Sequence, residues 1–536
     1  MLLGYVSNEQ YQALHDVAVE VFDAAGVAVA DVRSSASGAV HAHVVHGDYA
    51  LVLAKEGYGS KRSQVTAGEE PVKFRLLSNA TCGYMWPKWA RSGEEAELRV
   101  HSSEPYRAEL WRYGLIKECV ALLGWFDEHG SQAMRQVLPD TDITREGAEF
   151  NSVGFTSPGH IKQVVAPERS GLYYVHITTA SGVFYSIPWV VAPARAGERV
   201  AVLAGTNNWN AYNHFGGRSN YINEAELPRT PTVNSRQDLP RYVLGNGATQ
   251  TSPNDSVVPL SFDRPDFECE VRPDEEVTDP LAGRLSGTLA PGFWRLVGWL
   301  ERERIGHDVY ADYHLHNGTL DLDAYDVLVL ECHPEYWSRK MYLRVKEWVE
   351  QRGGRIAYLG GNGIDCEIVF DERGTSARYL SKQPDTSLPA EQHLESRFHA
   401  TFEAQAKLLG VTFTHSGEGT GAPYKVVDET SWIYEGTGLK NGDLFGLSSL
   451  SERIPGGASG HETDKRTPST PDDVVLLAQG TNPDDGGADL VYRNLAGPGG
   501  EVFSVGSMTY IPALLVDDAL STITANVLRK FTESTR

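Results

Sequence analysis

Between Tyr325 and Leu359 the chain spells out a strand, a helix and a second strand, and no other stretch limits the fold as strongly. Asp326-Val327-Leu328-Val329-Leu330 is a continuous apolar run of the kind buried on both faces of a parallel sheet. Met341, Tyr342, Val345, Trp348 and Val349 follow at helical spacing, and Gly353-Gly354 is suited to the left-handed turn that ends a helix. Arg355-Ile356-Ala357-Tyr358-Leu359 completes the unit. Such a crossover is right-handed, and ligands bind at the carboxyl ends of its strands, which directs attention to Cys332–Trp337 and Gly360–Gly363.

The same α/β pattern runs from about residue 196 to the C-terminus. Val200-Ala201-Val202-Leu203 and Val502-Phe503-Ser504-Val505 read as strands, Phe293, Leu296, Val297 and Leu300 as a helix face, and Leu520 to Phe531 as a closing helix. Upstream the text differs. Apolar residues alternate in Val17–Phe22, Gly38–Val44 and Gly47–Ala54, which predicts a small antiparallel sandwich over residues 1–78. Trp- and Tyr-rich strands such as Ala108–Tyr113 and Gly171–Ile177 predict a second β-sandwich over 79–195, closed by the linker Ala192–Glu198. The expected fold class is multidomain β plus α/β, with two N-terminal β-sandwiches and a C-terminal α/β domain over 196–536.

Asp and Glu number 71 against 48 Lys and Arg, a formal charge of -23, so nucleic acid and anionic membrane surfaces would repel the chain. Cys82, Cys119, Cys269, Cys332 and Cys366 are few and scattered, which excludes a disulfide framework and a Cys-rich zinc site. The first residues lack a basic stretch followed by an apolar run, and no segment has the apolar length of a membrane span. A reduced, cytoplasmic protein is expected.

Glu331-Cys332-His333-Pro334-Glu335-Tyr336-Trp337 packs a thiol, an imidazole and two carboxylates into one turn. One chemistry it offers is nucleophilic, with Cys332 activated by His333, although neighbours at a strand end face opposite ways and cannot easily share a proton. The other is metal binding: His333 and Glu335 lie two apart and face the same way on an extended stretch. Equally, Glu335 is placed to stabilise the dipole of the following helix. After the first α/β strand, Asn207 to Tyr221 carries an unusual density of amides with Tyr212 and Tyr221 among them. Asp312, His314 and His316 alternate as residues on one strand face do, and His41, His43 and His46 fit an exposed strand.

Thr206-Asn207-Asn208-Trp209-Asn210-Ala211-Tyr212-Asn213, Gly216-Gly217-Arg218-Ser219-Asn220-Tyr221, His333-Pro334-Glu335-Tyr336-Trp337-Ser338 and Gly360-Gly361-Asn362-Gly363 together resemble the large (beta) subunit family of N,N-dimethylformamidase. The resemblance implies a mononuclear Fe(III) held by two tyrosines and a glutamate, which fall on Tyr212, Tyr221 and Glu335. Tyr242 is an alternative for the second tyrosine; if that ligand belongs instead to Ser261-Phe262-Asp263-Arg264-Pro265-Asp266, Asp266 has replaced it. It further implies His333 and Asn362 beside the iron, Glu462 of Gly460-His461-Glu462-Thr463-Asp464 as acid and base, a small amide substrate, a possible small subunit and a homo-oligomer. Gly47-Asp48-Tyr49 with Gly57-Tyr58 resembles carboxypeptidase-regulatory-like domains, and the C-terminal layout resembles amidotransferase-like folds. The expected function is hydrolysis of a small amide such as an N-substituted formamide by metal-activated water. The alternative is a metal-free carbohydrate- or ligand-binding protein of amidotransferase-like fold.

Overall fold

The computed structural model describes the chain apart from residues 9–11, 77, 79, 103, 127–159, 214, 216–218, 221–229, 232, 234–258, 279–287, 381–395, 452 and 534–536. At the N-terminus a three-stranded sheet (Ala39–His41, Leu2–Ser7, Val72–Arg75) and a four-stranded sheet (Ala28–Arg33, Ala18–Phe22, Gly47–Ala54, Lys61–Ala67) enclose Val6, Val19, Val21, Leu51, Leu53 and Phe74. Lys61–Ala67 buries every second residue, as a strand with one face on a core must.

A second pair of sheets follows. Three strands (Cys82–Trp86, Glu95–His101, His160–Val165) face five (Trp89–Arg91, Tyr106–Tyr113, Lys117–Phe126, Gly171–Thr179, Phe184–Ala192) across Leu98, Val100, Leu110, Val175, Ile177 and Trp189. Gly171–Thr179 is buried on both faces. Its outer residues Leu172 and Tyr174, with Tyr113, Val190 and Ala192, join the same apolar core as Val200, Phe293 and Val309 of the C-terminal part. Ion pairs reinforce the contact: Arg112 and Arg169 both reach Glu301, and Lys88 pairs with Asp266.

The C-terminal part is built on nine strands: β1 (Val200–Ala204), β2 (His307–Ala311), β3 (Val327–Leu330), β4 (Arg355–Tyr358), β5 (Tyr424–Val426), β6 (Leu444–Phe445), β7 (Val474–Gly480), β8 (Asp489–Asn494) and β9 (Glu501–Ser504), in spatial order 2-1-3-4-9-8-7-5-6. β2, β1, β3, β4 and β9 are mutually parallel. From β9 onward the pairing is antiparallel. The helices that matter below are α1 (Thr206–Tyr212), α2 (Ala290–Arg302), α3 (Asp312–Asn317), α4 (Arg339–Arg352), α5 (Arg397–Thr401) and α6 (Asp518–Glu533). α4 buries Met341, Tyr342, Val345, Trp348 and Val349, starts where Ser338 Oγ accepts from Met341 N–H at 3.3 Å, and ends at Gly353 with φ 71°. Among the described residues no helix is long and apolar enough to cross a membrane.

The expected fold class needs correction. Among the described residues strand outweighs helix, 38% to 18%, so the protein is mostly β and its C-terminal part is not an α/β amidotransferase-like domain. The physical reason lies in the stretch between Leu409 and Tyr510, whose described residues hold short strands and one 3₁₀ turn but no α-helix. Without helices to carry the chain across a sheet face, successive strands there pair as antiparallel neighbours. A second correction concerns Asp312, His314 and His316, which lie on α3 rather than along a strand face.

Candidate active site

β1, β3 and β4 run parallel, so their carboxyl ends share one edge of the sheet, and the loops leaving them meet there. β1 passes through Gly205 into α1. Gly205 N–H donates to Glu331 Oε1 at 2.9 Å, and a Cβ at Gly205 would lie 2.6 Å from that oxygen, so a side chain there would displace the Glu331 carboxylate. The first turn of α1 then grips its surroundings through its amides. Asn207 N–H donates to Asp312 Oδ2 (2.9 Å), Asn207 Nδ2 donates to the Tyr336 carbonyl (2.9 Å), and Asn208 Oδ1 accepts from Glu335 N–H (3.1 Å). The amide-rich run is therefore a clamp on the backbone of the loop bearing His333 and Glu335, and it delivers Tyr212 to the same place.

The loop after β4 enters from the other side. A Cβ at Gly361 would sit 2.4 Å from the Glu462 carbonyl and 2.8 Å from Met508 N, so only glycine lets these three segments meet. Asn362 follows with φ 51°, a conformation that asparagine tolerates better than most residues. Its N–H donates to Asp464 Oδ1 and its Nδ2 to Glu462 Oε2, both at 2.8 Å. Asn362 Oδ1 is buried without a hydrogen-bond partner among the described residues. Glu462 lies in the connection between two short strands, Ser459–Gly460, paired with Gly421–Ala422, and Thr463–Lys465, paired with Thr412–Thr414, next to His461 at φ 64°.

His333 is the centre of the cluster. Its Nδ1–H donates to the Gly361 carbonyl at 3.0 Å, which fixes the ring and turns Nε2 toward three oxygens. Tyr212 Oη and Glu335 Oε2 each lie 3.1 Å from Nε2, and Glu462 Oε2 lies 3.6 Å away. Burial works against a charged imidazole, but the Glu462 and Glu335 carboxylates overcome it and lift the His333 pKa to about 9. Burial likewise pushes Glu335 up, and the His333 hydrogen bond and the Arg397 guanidinium outweigh it, leaving Glu335 below the usual carboxylate range. Glu462 moves the other way, raised by burial and by the neighbouring Glu335 charge. Beneath them, burial lifts Asp464 to about 7 while Tyr358 Oη donates to it at 2.7 Å.

Five of the residues expected from the sequence thus converge: Tyr212, His333, Glu335, Asn362 and Glu462. Tyr221 and Tyr242 lie outside the described residues. Asp266 is committed to Lys88 and to Asn213 Nδ2 and is not among the oxygens around His333. Cys332 is fully buried, its thiol raised far above the ordinary value by burial, and its S–H donates to the Met508 carbonyl at 3.3 Å. Glu335 is not a helix-terminus residue: it precedes the short strand Tyr336–Trp337, and Ser338 is the cap of α4. Among the described residues no group of three or more His, Cys, Asp and Glu could hold a metal ion. Arg397 and Asp464, which contact Glu335 and Asn362, had no mark in the sequence beyond the acidic segment around Glu462.

No curated protein matches the sequence. Solved structures with matching segments include a DUF3823 family protein from Bacteroides ovatus (12% identity, 35% of this chain and 96% of that one, TM-score 0.13) and BcpA, the major pilin subunit of Bacillus cereus (13%, 38% and 71%, TM-score 0.15). Likeness of that size carries no weight for fold or function. The sequence profile described as N,N-dimethylformamidase beta subunit-like, C-terminal, matches residues 159–522, well over half of the chain and all of the loops that build the cluster. With the matched segment holding Tyr212, His333, Glu335, Asn362 and Glu462, the chain belongs to the N,N-dimethylformamidase beta subunit-like family.

Proposed function

We propose that this chain is an iron-dependent amidohydrolase that cleaves a small amide, such as an N-substituted formamide, to a carboxylic acid and an amine. The supporting observation is the convergence of the Tyr212, Glu335 and Glu462 oxygens within 3.6 Å of one nitrogen, the buried His333 Nε2. A phenol and two carboxylates are hard oxygen donors and fit a hard trivalent cation better than zinc. Tyr212 and Glu335 would hold it, with Tyr221 as the further tyrosine. When bound, Fe(III) polarises the amide carbonyl and acidifies water.

The remaining work falls to the protein. Glu462 takes a proton from the attacking water and returns it to the departing nitrogen, so that the C–N bond breaks without a covalent enzyme intermediate. Its side chain is 17% exposed, which leaves it open to substrate, and Asn362 Nδ2 fixes its orientation. His333 and Asn362 orient the amide. The family's description as a beta subunit supports a small partner subunit in the working enzyme.

Elemental analysis of the purified chain, together with a visible ferric-phenolate band, tests the proposal. One iron per chain is expected, and Tyr212→Phe should lose both iron and band while its circular dichroism stays unchanged. Undiminished iron in that variant would remove Tyr212 from the site and overturn the assignment.

A further inference from the structure

We infer that Arg397 is a positioning residue that commits Glu335 to binding through a single oxygen; the inference rests on the iron site proposed above. Arg397 opens α5 and lies 62 residues beyond Glu335 in the chain. Its Nη2 donates to Glu335 Oε1 at 2.7 Å, and its Nε donates to Asp365 Oδ2 at 2.8 Å. The side chains of Arg397, Glu335 and Asp365 are only 13%, 2% and 5% exposed, so their charges face one another with little water between them. Asp365 also accepts through its carbonyl from Phe398 N–H at 2.6 Å, which ties the first turn of α5 to the loop after β4.

The two oxygens of Glu335 therefore have different occupations. Oε1 accepts from the guanidinium, and a hydrogen bond with the Tyr336 side chain also reaches this carboxylate. Oε2 faces His333 Nε2 at 3.1 Å, on the side of Tyr212 and Glu462. A carboxylate free at both oxygens can rotate or chelate, whereas one pinned at one oxygen by a charged N–H presents the other as a fixed donor. A role confined to anchoring α5 needs only the Asp365 contacts. The branch to Glu335 serves the site. Lysine keeps the charge but lacks the planar fork that spans both carboxylates.

The test measures iron affinity by chelator competition, and the position of the phenolate band, in wild type, Arg397→Met and Arg397→Lys. Outer partners of metal ligands typically govern affinity by about 10–100-fold, so Arg397→Met should weaken iron binding by about that factor and shift the band, with Arg397→Lys between it and wild type. Equal affinity and an unmoved band in Arg397→Met would overturn the inference while leaving the iron site intact. If Arg397→Met does not fold, Arg397→Lys decides: several-fold weaker iron with a shifted band supports the inference, and wild-type behaviour refutes it. Wild-type chain that binds no iron refutes the parent proposal and this inference together.

Discussion

Replacing Asp312 with asparagine tests whether the clamp beneath α1 works in its neutral form. Asp312 is 1% exposed; its Oδ2 accepts from Asn207 N–H, while Oδ1 has no hydrogen-bond partner among the described residues. Burial lifts its pKa from 3.8 to about 8. Below pH 3.8 the carboxyl is protonated in both folded and unfolded chains and has no effect on stability. Between pH 3.8 and about 8 the unfolded chain ionises while the folded one stays protonated, so stability falls with rising pH by 1.36 kcal/mol per unit. The accumulated penalty is about 4 kcal/mol at pH 7 and about 6 kcal/mol at pH 8, upper bounds for a group whose surroundings relax on ionisation. Asp312→Asn keeps an oxygen for Asn207 and cannot ionise, so the penalty should vanish. Wild type and variant should melt at similar temperatures near pH 4, and the variant should melt several degrees higher at pH 8. Glu331, lifted to about 8 mainly by burial, remains in both and keeps the variant's profile from being flat. Parallel melting profiles from pH 4 to 8 would show that Asp312 is not held neutral.

Further outcomes follow from the same geometry. Glu462→Gln preserves shape but cannot shuttle a proton, and steady-state turnover should fall by about 10²-fold or more with iron content intact. Cys332→Ala should retain most turnover, because the buried thiol donates to the Met508 carbonyl and not to the oxygens around His333; trapping of an acyl group on Cys332 would contradict this. Gly361→Ala puts a methyl 2.4 Å from the Glu462 carbonyl and should cost about 1–3 kcal/mol by thermal melting along with most of the activity, since the loops carrying Asn362 and Glu462 must part. Lys88→Met strands the buried Asp266 and should destabilise by about 3–5 kcal/mol in urea titration, with Lys88→Met/Asp266→Leu recovering much of it.

The parallel strands were legible because a strand buried on both faces must be apolar throughout, as Val327–Leu330 is, and the α4 stripe repeats at a period no strand can use. The antiparallel half was not. β5 and β6 are three and two residues long among glycine turns, too short to display alternation. α3 misled for a related reason: its six residues are fewer than two helical turns, and the two-residue spacing of its histidines imitates a strand. In the site, His333 and Glu335 announced themselves through the density of one turn, and the amides of α1 through their number. Tyr212 and Glu462 came from family resemblance, since a lone tyrosine or loop glutamate has no local pattern. Arg397 had no signal at all: it meets Glu335 only because α5 packs against the loop after β4, a contact no window of sequence contains.

The apolar core that joins Leu172, Tyr174 and Val190 to Val200 and Phe293 determines where the polypeptide can be divided. Severing the chain within Ala192–Glu198 would bare a wall of aromatic side chains on each half, and fragments so made should precipitate or reassociate rather than stay apart in solution. The N-terminal sheets, by contrast, close around their own Val19, Leu51 and Phe74. Shortened versions meant for expression or proteolysis should therefore begin just ahead of Cys82, so that the second pair of sheets and the nine-stranded part travel, melt and refold as one cooperative block.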